Sequence, residues 1–528
     1  MSMSSSATAS AGYNTPKAVA LFLVKFDRRQ GYELAWSKST NDISFEGLEY
    51  KAFPSGIHSY EENTIYISQQ HESTTYYGLS RFKQLNLNHG SDNDRSKLKM
   101  YSLGVLMEPL KNQWQPNNAG NIGWEHLDAI DDTLVAFLKD EKIDLLEELF
   151  SKLTGSGHLD VRKTPANPIA HHPLFKLPTI LSAVGPLIFP IFKAALLRKR
   201  ILVINHSSQS GDLLHEGNNR DYGTVGALVY LITVISAVPQ DVVGNFVDKS
   251  FSKPLYTLGL HDTDSPALKE PGYIGSTSDE ILKLQKNLYD IAILMPTSDF
   301  DLCELASGED AGKAEKATFN DYTKFLKLYK KLPSVNGGSN NDDSSSIRTS
   351  TSFLSALRFG ASEDTLAPFE PQWWRRSATT PMSWREYLWS AFAWFASAGT
   401  TNRSATEQYL ETLEEDQQAK SIKQQFTDLT QIVSQFHSLA KKWFVLIDEI
   451  VTETLEDNGY NERRSSLLME APLQRKITLE LAIQDIVDME LDPYSEQDIE
   501  FVKDFVLFYW ANVIDDVEIG IGLHGFCC

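Results

Sequence analysis

The run Lys17–Asp27, KAVALFLVKFD, constrains this chain more than any other stretch. It reads as an apolar core strand that ends at Asp27. A turn containing Gly31 follows, and GYELAWS (Gly31–Ser37) returns as a second strand. Further β-rich runs come next: EGLEYKAFPSGIH (Glu46–His58), NTIYISQ (Asn63–Gln69), YYGLSRFK (Tyr76–Lys83) and KMYSLGVLMEP (Lys99–Pro109). Short strands spaced by turn signals predict a five-stranded antiparallel meander. Leu127, Ile130, Leu134, Leu138, Leu145, Leu149 and Leu153 then recur at helical spacing and predict one helix near Trp124–Leu153.

Five strands followed by a helix resemble the opening of a longin module. The order of VKFD, a Trp-bearing second strand, FEGLEYKAFPSGIH, YYGLSRF and MYSLGVL resembles the upstream part of LCHN-like DENN-domain proteins. A second block, GYIGSTSDEILKLQKNLYDIAIL (Gly272–Leu294), resembles the end of their central domain. The resemblance implies an α/β protein in three parts: a longin-like antiparallel sheet with helices, a mostly parallel central sheet, and a helical C-terminal region.

Composition narrows the partners. Apolar residues make up 42% of 528, which supports large cores. A formal charge of −21 argues against nucleic acid, because a polyanion gains nothing from displacing counterions on phosphate. It also argues against electrostatic adhesion to anionic lipid, which uses Lys/Arg clusters. The three cysteines, Cys303, Cys527 and Cys528, form no disulfide framework and no cysteine zinc site, and they fit a reducing cytosol. The N-terminus lacks a signal-peptide pattern. The most membrane-like segment, Leu177–Phe192, carries Pro178, Pro186 and Pro190 and is shorter than a spanning helix, so it reads as a kinked core helix.

Along the chain, residues 1–16 read as a disordered tail and 17–155 as the longin-like module, with polar loops at Leu87–Lys97 and Leu110–Ile122. Gly155–His171 reads as a linker. Residues 171–332 alternate helices and strands, including Ile201–Asn205, the helix Gly226–Val238 and the strand Leu255–Leu260, and predict a sheet covered on both faces. Ser276, Thr277, Ser278 and Asp279 are candidate N-caps. Residues 333–365 read as a mobile low-complexity loop, 366–515 as helical, and 516–528 as a flexible lipidated tail. Helices are expected over Trp384–Ala398, Gln424–Glu453, Leu473–Met489 and Glu496–Val513.

The motif search assigns no catalytic residue, cofactor or metal. GIGLHG (Gly520–Gly525) has the spacing of a dinucleotide loop without a surrounding strand–turn–helix unit. The pairs Asp131-Asp132 and Asp515-Asp516 read as solvated helix faces, and His171-His172 as an extended pair pointing opposite ways. Trp373-Trp374-Arg375-Arg376 reads either as a loop end pinned by a buried Trp or as a partner hot spot. Cys527 and Cys528 are candidate lipidation sites, for palmitate or prenyl groups, and two chains give the stable attachment one does not.

For the family, the resemblance implies guanine-nucleotide exchange on a Rab-type small GTPase in membrane traffic, performed by surfaces without acid–base chemistry at the cleft between the two sheets. It also admits activation of GTP hydrolysis through an arginine, as in folliculin-like proteins, with Arg28, Arg29, Arg81 and Arg95 as candidates. A third reading is a lipid-anchored Rab-binding scaffold without catalysis. The expected location is cytoplasmic and peripheral on an intracellular membrane.

Overall fold

The computed structural model describes residues 17–27, 29–57, 60–86, 98–110, 115–155, 169–205, 221–242, 249–296, 302–308, 314–332, 371–381, 422–459 and 476–520. The expected N-terminal tail, most of the linker, the loops at 87–97 and 333–365, the helix Trp384–Ala398 and the cysteine pair lie outside them.

Strands β1 (Ala18–Asp27), β2 (Gly31–Ser39), β3 (Glu62–His71), β4 (Thr74–Asn86) and β5 (Leu98–Met107) form an antiparallel sheet in the order β2-β1-β5-β4-β3. This departs from the expected meander, because β5 returns beside β1 rather than ending at an edge. Alternation along β1 sends Leu21 and Leu23 to one face, and Ala20, Phe22 and Val24 to the other. The expected run Glu46–His58, described as far as Ile57, holds no strand there: it contains the short helix α1 (Leu48–Lys51), whose Leu48 packs with Phe53 and Ile57 on the second face. Ser80 and Ser102 both donate their hydroxyls to the Ala52 carbonyl, at 3.0 and 2.7 Å, and so fasten this segment to the sheet.

The helix α2 (Gln115–Gly120) occupies part of the expected loop Leu110–Ile122. The helix expected over Trp124–Leu153 is split into α3 (Leu127–Asp140) and α4 (Ile143–Thr154) after a 3-10 turn at Trp124–His126. The break arises where Glu141 turns left-handed (φ 51°) and Lys142 is extended. Both helices cover the Leu21/Leu23 face.

The apolar stretch Pro173–Leu196 is long and apolar enough to cross a membrane, but 83% of its apolar window is buried inside the protein. It is interrupted as its prolines predict, giving α5 (Leu177–Val184) and α6 (Ile188–Leu196). Gly185 joins them at φ +59°, and a Cβ there would lie 2.5 Å from the Trp374 indole, so only glycine serves both the turn and the contact.

The second sheet follows: β6 (Ile201–Ile204), α7 (Tyr222–Ile235), β7 (Lys253–Thr257), β8 (Tyr273–Thr277), α8 (Glu280–Leu284), β9 (Ile291–Leu294), β10 (Glu304–Ser307), β11 (Ala314–Glu315) and α9 (Phe319–Tyr329). Its order is β11-β10-β9-β6-β8-β7, parallel from β7 to β9 and antiparallel beyond. Ser276 and Thr277, expected as caps of a helix, end the strand β8. The cap reading is corrected as well: Asp279 is the N-cap of α8 but makes no side-chain cap, and the Thr277 hydroxyl oxygen instead accepts the Asp279 N–H at 3.1 Å. Ile201, Val203, Ile291 and Ile293 face α7, whereas Leu202, Ile204 and Ala292 face Leu282 of α8. The carboxyl ends of the four parallel strands therefore share one edge.

The C-terminal part holds α10 (Gln372–Arg376), α11 (Ile422–Asp457), β12 (Ile477–Ala482), α12 (Ile483–Asp488), α13 (Glu496–Tyr509) and β13 (Ile514–Gly520). The stripe of α11, including Ile432, Phe436, Trp443 and Ile447, is core, as its spacing predicts. The expected helix Leu473–Met489 is corrected: Ile477–Ala482 pairs in parallel with β13. The tail read from 516 thus contains the rest of a strand, and Asp515-Asp516 lie on it rather than on a helix.

Two contacts tie these parts together. Lys193 on α6 donates to Asp321 of α9 at 2.7 Å and to Asp498 of α13 at 2.6 Å, and all three side chains are buried. Burial opposes the Lys193 charge, but the two carboxylates overcome it and hold its pKa above the ordinary lysine value. His172 meets the edges of Trp124, Tyr230 and Phe426, with ring centroids at 4.9, 5.8 and 4.9 Å. Its Nδ1 accepts the Leu174 N–H at 3.2 Å, which requires the neutral ring, and burial lowers its pKa to about 4. Its neighbour His171 bonds Asp128 at 2.7 Å, so the histidines point apart as read.

Lys193→Met should lower the unfolding free energy by about 3–5 kcal/mol, because two buried carboxylates lose their cation. Adding Asp321→Asn and Asp498→Asn should recover much of that, as read by urea denaturation; a loss under about 1 kcal/mol for the single variant would show that the cluster is not a tie. His172 gives a pH signature. The unfolded ring takes its proton near the ordinary histidine value of 6.5 and the folded ring only near 4, so this contribution is full above 6.5 and is lost as pH falls to about 4. His172→Phe should show a shallower decline than the parent across that window in guanidinium unfolding.

Candidate functional site

Residues singled out by sequence reach different fates. Cys527, Cys528, Arg28 and Arg95 lie outside the described residues. Cys303 is buried, and burial pushes its thiol up to about 12, so it is inert. Arg81 is committed inside the protein, with Nη2 at 2.7 Å from Glu62, Nε at 2.6 Å from Asp131 and a bond to Thr64 at 3.2 Å. Lys83 joins the same pair of acids. Burial raises the Asp131 carboxyl, but Lys83 and Arg81 outweigh it and hold it below the usual value, so Asp131 is not the solvated acid its helix position predicts. Arg29 is exposed beside the β1–β2 turn, which is held by its backbone N–H on the Asp27 carboxylate at 2.7 Å. In the Trp-Trp-Arg-Arg motif, Trp374 is buried 4.9 Å from both Phe325 and Tyr329, which supports the pinned-loop reading.

What the fold does bring together is the seam between the sheets. Edge strand β3 of the first sheet lies along edge strand β7 of the second. Side-chain hydroxyls span the gap: Ser68 donates to the Leu255 carbonyl at 2.7 Å, and Thr257 to the Tyr66 carbonyl at 2.9 Å. Tyr256 stands edge-on to Tyr66 and Tyr77 and donates to the Ala119 carbonyl at 2.7 Å. Gly226 lets α7 approach β3, since a Cβ there would lie 2.6 Å from the Tyr66 ring. Lys51 and Asp262 pair across the seam at 2.8 Å. The cavity beside them, about 40 Å³ and lined by Ser68, Gln70, Thr75, Leu255 and Leu258, has room for water and not for a nucleotide.

At the carboxyl edge of the parallel strands this seam opens to the surface. Tyr50 of α1 stacks on His261 at 3.9 Å and 26°, and Tyr32 meets Tyr50 edge-on at 6.2 Å. The Tyr222 hydroxyl oxygen accepts the Ser55 N–H at 2.8 Å, tying the start of α7 to the loop after α1. Around this frame Tyr50, Leu260, Ile281 and Leu284 are 44%, 41%, 54% and 78% exposed. Asp279, the N-cap of α8 just before Ile281, is half-buried, and burial raises its pKa. Among the described residues no cluster of His, Cys, Asp and Glu could hold a metal. The arrangement is an exposed apolar surface on a fixed frame, suited to binding. Sequence reasoning expects the contact at the cleft between the sheets and names no residue of this patch as part of it, because the residues come from separate segments with no shared motif.

The comparisons agree with this architecture. The stretch 379–523 matches a model described as Domain of unknown function (DUF4484). Over its length the chain is similar to the uncharacterized protein ANR2 of Saccharomyces cerevisiae, 26% identical over 97% of this chain and 95% of that protein. An uncharacterized Schizosaccharomyces pombe protein is 24% identical over 53% of this chain and 64% of its own length. DENN domain-containing protein 11 of Danio rerio is 26% identical over 52% of this chain and 53% of its own, so that match spans about half of each. The model described as DENN domain-containing protein 11 matches residues 21–302, more than half of the sequence and the part that contains nearly all of the first sheet, the four parallel strands of the second and the seam, and the chain belongs to that DENN-domain family.

Proposed function

We propose that this protein promotes guanine-nucleotide exchange on a Rab-type small GTPase in membrane traffic, using the seam surface at Tyr50, Leu260, Ile281 and Leu284. The observation that carries the reading is the exposed apolar patch built jointly by α1 of the first sheet and the loops and α8 of the second. Large apolar side chains grouped on a rigid frame mark interaction sites, and tyrosine is enriched among hot spots. DENN-domain proteins as a family supply the GTPase as the partner; the fold alone does not. Exchange needs no acid or base. The protein must bind the nucleotide-free GTPase better than the loaded one, by holding its switch segments away from phosphate and magnesium. Incoming GTP then weakens the complex by the same factor. Cys527 and Cys528 belong to this proposal as the membrane attachment, peripheral and on the cytoplasmic side, since an acidic chain gains little from anionic lipid directly.

With a full panel of purified Rab proteins loaded with fluorescent GDP, at least one should release nucleotide many-fold faster when this protein is added. Ile281→Ser with Leu284→Ser should cut that rate about tenfold while leaving the unfolding midpoint nearly unchanged, since both side chains are exposed. If no Rab responds, even on vesicles, exchange gives way to the scaffold reading; faster single-turnover hydrolysis would favour activation instead. For the attachment, Cys527→Ser or Cys528→Ser alone should weaken membrane fractionation and the double variant should release the protein. Hydroxylamine sensitivity would identify thioester-linked palmitate, and unchanged fractionation of the double variant would remove the anchor from the proposal.

A further inference from the structure

The core uses only half of the Trp-Trp-Arg-Arg motif. Trp374 pins α10 against Phe325 and Tyr329 of α9, while Trp373 stays half-buried and Arg375 and Arg376 are exposed. The chain beyond α10 runs back to the start of α9. There the Ala317 N–H donates to the Ala378 carbonyl at 2.8 Å, and the Thr380 N–H to the Ala317 carbonyl at 2.9 Å. Both helices turn their apolar sides to one core, through Phe325, Leu328 and Trp374, and leave their polar sides facing out. On α9 that outer side carries Lys327, and Lys330 and Lys331 follow directly; all three are exposed. The stretches 319–332 and 371–381 contain a single acid, Asp321, and it is buried against Lys193 at 2.7 Å. At the start of α9, Asn320 donates to the Glu490 carbonyl, and Lys442 holds the Glu490 carboxylate at 2.9 Å. In a chain of −21 the surface of α9 and α10 is therefore locally cationic. Cations near a helix C-terminus offset its dipole, which accounts for each helix by itself. It places no demand on packing the two side by side, or on a partly exposed tryptophan beside them.

We propose that α9 and α10 form a contact face for an anionic lipid surface, where Lys327, Lys330, Lys331, Arg375 and Arg376 meet the headgroups and Trp373 lies at their level. Charges spread over an outer face on long flexible stems suit a field of many phosphates better than one enclosed anion. Tryptophan concentrates at the boundary between membrane and water. Taken whole, the acidic chain gains little from anionic lipid, but its net charge does not decide the contact. At physiological ionic strength, charges more than about 8 Å apart through solvent are largely screened, so the local sign prevails. The Lys/Arg cluster that the sequence lacks as a run is assembled by packing two stretches more than 40 residues apart. This face is independent of the exchange reading. It goes beyond the cysteine attachment by giving the folded body its own side toward the membrane. Such a patch alone holds weakly; together with acyl chains it fixes the orientation in which the protein sits.

The test uses the full chain carrying Cys527→Ser and Cys528→Ser, so that no acyl chain contributes. Its co-sedimentation is measured with vesicles of phosphatidylcholine alone, or with about 30% phosphatidylserine, at about 50 and about 200 mM salt. Binding should be about tenfold stronger on the anionic vesicles at the lower salt, and should weaken several-fold at the higher. Lys327→Glu, Lys330→Glu and Arg375→Glu together should remove that preference and leave the unfolding midpoint close to the parent's, since all three side chains are exposed. Lys17→Glu, Lys139→Glu and Lys152→Glu change the net charge equally at exposed sites elsewhere, and should bind within about twofold of the parent. If the reversal variant fails to fold, glutamine at the same three patch positions should still lower binding about threefold or more. A parent that binds both vesicles equally, or the same loss in the two triple variants, would overturn the proposal. So would a patch variant that keeps its vesicle binding but loses stimulation of a responsive Rab, which would assign the face to a protein partner.

Discussion

A single buried lysine decides how the parts of this protein hold together. Lys193 lies on α6 in the core, and its two carboxylates come from helices 128 and 305 residues further along the chain. A charge at that depth is tolerable only when it is paired and its donors are used, which fixes α9 and α13 against α6 to within hydrogen-bond tolerance. Burial, opposed by Lys193, leaves the Asp498 carboxyl above its ordinary value, so the cluster exists only while its members stay together. Lys324 lies 5.7 Å over the Phe189 ring in the same cluster, and burial lowers its pKa. The C-terminal third is therefore part of the core that supports the two sheets. The matched family segment ends at residue 302 and includes Lys193 but neither aspartate. Physically, that segment depends on residues beyond it.

The same logic explains the seam. Edge strands expose unpaired backbone groups, and two edges brought together would ordinarily continue as one sheet. Here β3 and β7 are held by hydroxyls reaching carbonyls, by the Tyr256 ring against Tyr66 and Tyr77, and by an α7 brought close at Gly226. The sheets stay separate yet cannot slide, because each hydroxyl bond and each ring contact has one register. Ligands of open α/β sheets gather at the carboxyl ends of the strands. In this protein that edge is extended by α1 from the other sheet.

Much of the fold was legible because the strongest patterns are local. The apolar run at Ala18–Val24, the kinked stretch around Pro186 and the stripe of α11 each carry their own periodicity, and each lies where that periodicity places it. The misreadings share a different cause. β8 is short and contains Gly275, which packs beside Leu258, so its last residues, Ser276 and Thr277, look like helix caps. β12 alternates cleanly over ITLELA but runs straight into α12, and the helical pattern of Ala482–Met489 masked it. Asp131 looked solvated because its partners Arg81 and Lys83 sit on β4, about 50 residues away in sequence. The site was illegible for the same reason. Tyr50, Leu260 and the α8 residues Ile281 and Leu284 come together only through sheet topology, and no spacing in the sequence records that.

This way of building a site has a mechanical consequence. An exchange protein works by binding one GTPase state better than another, so any motion of its own surface that lets it follow the partner into both states erases the difference. A docking face split between two freely hinged modules would do that. Here α1 is fastened to its sheet by Ser80 and Ser102 on the Ala52 carbonyl, and to the second sheet by Lys51 on Asp262 and Tyr50 on His261. Tyr222 ties the loop after α1 to the start of α7, and α7 is buried almost along its length. The face proposed to meet the GTPase is stiff because it is anchored on both sides of the seam. Under that proposal, stiffness is the property that would turn binding into exchange.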